Sequence, residues 1–139
     1  MRTGPFVGVA VLSLVATAAG PARAHHAFAS EFDIELPIAL RGTVTVMEWV
    51  NPHSWIHIDV KGTDGTVVNW MVEGGSPNAL LRMGFTKNAV QPGMEILVDG
   101  YQAKDRSKTA VGRSLTFGDG RKFFLGSSAP GGRGEPPSR

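Results

Sequence analysis

The sequence predicts an all-β domain with one short helix, a small OB-like Greek-key barrel of order β-β-β-α-β-β. Three observations carry this. Apolar and polar residues alternate with period two in segments separated by Gly, Pro, Asn and Asp turn signals. The one convincing helical signature falls after the third such segment, which is where an OB-fold places its helix. The first segment is long and kinked at a glycine, as in the element order of an OB-fold.

In order, Leu40, Val44 and Val46 alternate with Arg41, Thr43, Thr45 and Met47 from Ile38 onward, and Gly42 interrupts the run as a bulge would. Asn51-Pro52 marks a turn, after which Ile56, Ile58 and Val60 share one face and Trp55, His57 and Asp59 the other. Thr63-Asp64-Gly65 predicts a hairpin into a third strand, Thr66 to Glu73, with Val68, Trp70 and Val72 on one face. Ser76 as N-cap, Pro77 at the first helical position, apolar Ala79, Leu80 and Met83, and Gly84 as the stop define the helix. A strand from Met94 to Ala103 follows the Gln91-Pro92-Gly93 turn, and another runs from about Val111 to Phe117. Asp119-Gly120 turns into a brief strand from Arg121 to Leu125. The domain therefore occupies residues 38–125, preceded by an N-terminal arm at 25–37 and followed by a Gly-, Pro- and Ser-rich tail at 126–139 expected to be disordered.

Residues 1–24 have the form of a secretory signal peptide. Phe6 to Gly20 is apolar and small throughout but shorter than the roughly 20 residues a bilayer span takes, and Ala22 and Ala24 supply an A-x-A cleavage pattern. Cleavage after Ala24 predicts a periplasmic or secreted protein that begins at His25 and keeps no stable membrane anchor. It removes Arg2 and Arg23, so the 14 basic residues fall to 12, against 12 acidic ones. A neutral exported domain lacks the basic stripe that nucleic acid requires. There is no cysteine, which excludes disulfides and thiolate metal sites and leaves a single hydrophobic core to stabilise about a hundred residues.

The four histidines fall in two places, His25-His26 and His53 with His57. A free N-terminal amine has a pKa near 8, so it can bind a metal, and an N-terminal His adds Nδ1 to close a six-membered chelate. That is the start of a histidine brace, a nitrogen geometry suited to Cu(II). Cleavage after Ala22 would instead place His25 third, in a different square-planar chelate. On a straight strand His53 and His57 lie about 13 Å apart, too far to share one ion. A bend at Pro52 would bring His53 alone toward the arm and leave His57 on the outer sheet face.

The candidate metal ligands are thus His25, His26 and His53, with copper the first expectation. The alternative is a metal-free module presenting Trp49, Asn51, Trp55, His57, Trp70, Glu73, Ser76 and Asn78 to a small ligand or a periplasmic protein. A copper-dependent oxidative enzyme is a further alternative. No nucleophile triad, phosphate-cradling loop or paired-acid motif supports catalysis, so the enzyme case rests on a metal alone.

His25-His26-Ala27-Phe28, Trp49-Val50-Asn51-Pro52-His53-Ser54-Trp55, Asn69-Trp70 with Glu73-Gly74-Gly75-Ser76-Pro77-Asn78, and Gly112-Arg113-Ser114 together resemble a family of short exported bacterial proteins classed as a domain of unknown function. The resemblance spans Ala24 to Ser127. In that family serine commonly follows the double histidine, and Ala27 departs from that pattern. The resemblance implies a periplasmic β-rich domain and names no substrate.

Overall fold

The computed structural model describes residues 27–134. The expected signal peptide, His25, His26 and residues 135–139 lie outside the described residues. Residues 27–31 are helical (α1), and six strands follow with one further helix: β1 (Phe32–Glu48), β2 (Trp55–Lys61), β3 (Val67–Glu73), α2 (Pro77–Arg82), β4 (Glu95–Ala103), β5 (Thr109–Phe117) and β6 (Lys122–Phe124).

β1 is long because it serves two neighbours. Its first part pairs antiparallel with β4, as in Leu40↔Val98, and its last part with β2, as in Met47↔Ile56. β2–β3 and β4–β5 are also antiparallel. A parallel ladder of Met71, Val72 and Glu73 against Thr109, Ala110 and Val111 then joins β3 to β5. The strands close into the ring β1–β2–β3–β5–β4–β1, with β6 added to β5 and α2 between β3 and β4. This is the OB-like arrangement expected.

The bulge sits elsewhere than at Gly42. Val44 faces Ile58 and Val46 faces His57, so Thr45 is the extra residue. Gly42 meets a different need: a Cβ there would stand 2.7 Å from the Asp59 carbonyl oxygen, so it permits close backbone approach where β1 bends.

The period-two pattern fills the ring. Ile56 and Ile58, Trp70 and Val72, Ile96 and Val98, and Leu115 are buried from successive strands, joined by Leu80 of α2 and by Phe85 and Val90 beyond it. Each such aliphatic side chain contributes about 1.5–3 kcal/mol on burial. α2 is set by its predicted signals, with Ser76 Oγ accepting from Ala79 N (3.2 Å) and Pro77 opening the helix.

A second, smaller cluster outside the ring changes the domain limits. Phe28, Phe32, Ala103, Val111 and Ala129 are buried together, with Tyr101 packed against them. Phe28 meets Tyr101 edge to face at 5.5 Å. The arm, where described, is therefore part of the fold, and β1 begins within it at Phe32. The tail expectation is corrected over 126–134: Ser127 Oγ donates to Gly112 O (2.6 Å), Gly126 N to Gly132 O (2.8 Å), and Ala129 is buried. Composition alone conceals this, since one small apolar residue placed over a hydrophobic strand face anchors a segment otherwise built of Gly, Pro and Ser. Among the described residues no helix is long and apolar enough to cross a membrane.

Candidate functional site

Three chain segments meet at one end of the ring: the loop between β1 and β2, the link from β3 to α2, and the segment after β6. Backbone hydrogen bonds lace them together. Ser54 N donates to Gly75 O (3.0 Å), Gly74 N to Ser54 O (2.9 Å), and Gly75 N to Leu125 O (2.6 Å). Ser54 Oγ adds a second bond to Gly75 O (2.8 Å). Gly75 is required by this approach, because a Cβ on it would lie 2.5 Å from Gly126 O.

The meeting of these segments leaves an open cleft of about 400 Å³ lined by Ala27, Pro52, His53, Gly74 to Ser76, Ala79, Arg82, Gly126 to Ser128 and Arg133. His53 is fixed at its edge. Its Nδ1 lies 2.9 Å from Oε1 of Glu73, whose side chain is 4% exposed against 45% for the imidazole. Burial pushes the Glu73 carboxyl above its ordinary range; His53 offsets part of that shift, and the negative charge of Glu31 adds to it. With the carboxylate ionised, the imidazole proton belongs on Nδ1, and Nε2 keeps the lone pair that a metal or proton would take.

His57 is placed otherwise. Its Nε2 donates to Glu48 Oε1 (2.8 Å) across β1 and β2, half-buried on the outer sheet face. The two histidines thus serve separate places, as the strand geometry requires.

The residues expected to form a ligand surface are not gathered on one face. Trp70 is 8% exposed within the core, where its alternation with Val72 directs it, and the Lys108 ammonium stands 5.1 Å from its ring centroid. Glu73 is likewise buried behind His53 rather than presented. Trp49 stacks on Phe85 at 6.5 Å, and Trp55 heads β2 opposite Glu73. Ser76 lines the cleft but spends its hydroxyl on the helix cap. Asn51 and Asn78 are exposed.

His25 and His26 lie outside the described residues, but Ala27, the residue joined to His26, lines the same cleft as His53. Among the described residues no three His, Cys, Asp or Glu side chains form a metal-holding group. Sequence reasoning missed Arg82 and Arg133. Arg82 has the ordinary look of a basic residue in a last helical turn, and Arg133 falls in a segment whose composition gives no sign of structure.

No curated protein and no solved structure matches the chain significantly. A family model does match, described as a family of unknown function (DUF6152), over residues 11–113. That span is well over half of the 139 residues and contains the β1–β2 loop with His53, the β3–α2 link and most of the ring. The chain therefore belongs to this family of unknown function, DUF6152.

Proposed function

We propose that the protein is exported, is cleaved after Ala24 to begin at His25, and binds a transition metal in the periplasm, copper first, through His25, His26, His53 and the new terminal amine. Its work would be carriage, buffering or sensing of the metal. The observation that carries this reading is the pairing of His53 with buried Glu73 at the edge of a cleft that Ala27 also lines. A carboxylate behind an imidazole is the usual way a ligating histidine is oriented and made more basic. Two peptide units separate Ala27 from His25, so the Cα of the terminal residue lies within about 7–8 Å of the cleft-lining Ala27. So short a tether to a cleft that His53 also lines supports a site shared by the amine, the N-terminal imidazoles and His53, and nitrogen donors of this kind favour Cu(II).

The test is titration of the processed protein with Cu(II), followed by electron paramagnetic resonance. One equivalent bound with nitrogen hyperfine structure is expected at micromolar protein. A variant with one extra residue before His25 is expected to keep the fold and lose at least about tenfold in affinity, since an interrupted chelate forfeits a ligand worth more than 1.4 kcal/mol. Unchanged affinity in that variant removes the amine from the site, and absence of stoichiometric binding removes the proposal.

A further inference from the structure

The cleft has a second chemical character that the histidine reading does not use. Two arginines line it, Arg82 from the last turn of α2 and Arg133 from the segment after β6, and both also line the adjoining cavity of about 310 Å³ beside Met83. Among the described residues neither guanidinium has a carboxylate within ion-pair distance, whereas Arg41 and Arg121 do, with Glu95 and Asp119. Among the described residues no acidic side chain lines either cavity. Glu73, paired with His53 at the cleft edge, is buried and turned to that imidazole, and the Glu31 charge acts on Glu73 from nearby.

The position of Arg133 is built. Gly126 N donates to Gly132 O (2.8 Å), Gly132 N to Ala129 O (2.8 Å) and Ser127 Oγ to Gly112 O (2.6 Å), while buried Ala129 pins the segment to the Phe28 cluster. A chain segment fixed by core packing thus carries one cation to the cleft, and the last turn of a helix carries another.

We propose that the cleft receives a small organic anion, its carboxylate or phosphate held between Arg82 and Arg133 and its body lying over Ala79 and Gly75 toward His53. Guanidinium groups bind both anions through paired N–H donors. A volume of about 400 Å³ suits a ligand of metabolite size. The positive lining selects against cations and neutral molecules of the same size. This inference rests on residues other than the N-terminal histidines and holds with or without a metal.

The test uses protein freed of metal by a chelator, at constant ionic strength. Amide chemical shifts are followed by NMR during titration with succinate in one arm and inorganic phosphate in the other. Saturable shifts at Gly75, Ser76, Arg82 and Gly126 to Arg133 are expected with at least one probe, and the stronger arm identifies the anion. Arg82→Gln and Arg133→Gln, both at exposed positions, are each expected to weaken binding about tenfold, the effect of losing one charge-assisted contact. Arg82→Lys is expected to recover only part of it. The proposal is overturned if neither probe shifts these amides saturably, if chloride reproduces the shifts, or if both glutamine variants bind like the parent. Because no metal is present, failure of copper binding leaves this outcome untouched, and the reverse also holds.

Discussion

Glu73 is the residue on which the site turns. A carboxylate buried to this extent is tolerated because His53 stands 2.9 Å from it, and removing one member of such a pair leaves the other to bear its desolvation unaided. His53→Ala is therefore expected to destabilise the metal-free protein by roughly 1–3 kcal/mol, measured by urea unfolding. His57→Ala breaks a pair whose Glu48 side chain is 42% exposed and is expected to cost under about 1 kcal/mol. Equal losses in the two variants would show that burial of the acid is not what distinguishes the histidines. Glu73→Gln keeps the volume and removes the charge. It is expected to leave stability near the parent value and to lower Cu(II) affinity by about tenfold or more, the usual effect of losing the carboxylate behind a ligating imidazole.

At the scale of elements, the β3–α2 link combines two independent constraints in adjacent residues. Ser76→Ala removes a helix cap and is expected to cost about 1 kcal/mol, with the cleft retained. Gly75→Ala forces a methyl against Gly126 O and C, at 2.5 and 2.8 Å. It is expected to cost about 1–3 kcal/mol and also to loosen Arg133 and the rest of the terminal segment, seen as raised proteolysis there. If Gly75→Ala leaves that segment as resistant as the parent, the lacing of the three segments is not what holds it. The elements themselves were largely legible in the sequence. Ile56 and Ile58, then Trp70 and Val72, announce their strands by alternation, and Ser76-Pro77 announces the helix. The same alternation shows why Trp70 is an inside residue, although an aromatic side chain in a motif-rich stretch invites a surface reading. Thr45 as the bulge was not legible, because register depends on which residues of β2 it faces. Nor was the cleft, a third of whose lining residues come from 126–133. Its anchoring contact, Ala129 on Phe28, Phe32 and Val111, joins residues far apart in the chain.

At the scale of the whole molecule, the ring is held by ladders of unequal length. β1–β4 pairs at eight positions and β2–β3 at seven, whereas the β3–β5 closure consists of three residues on each side. Opening that closure leaves the linear sheet β3-β2-β1-β4-β5-β6 intact, so among the ladders of the ring it has the lowest opening cost. The Met71 amide, which donates to Lys108 O (3.0 Å) beside this ladder, is expected to exchange with deuterium faster than the amides of the β1–β4 ladder. Copper is expected to slow it, since a ligand that binds only the closed form stabilises it by mass action. Mass spectrometry of the peptides covering β3 and β5, with and without the metal, checks both statements, and exchange insensitive to copper would separate the site from the closure. The closure ends at Glu73, directly behind His53, so the weakest join of the ring and the candidate site share a residue. An empty molecule would then offer a cuttable form to proteases more often than a loaded one. The lifetime of the protein, and with it the amount present, would follow the supply of what it binds.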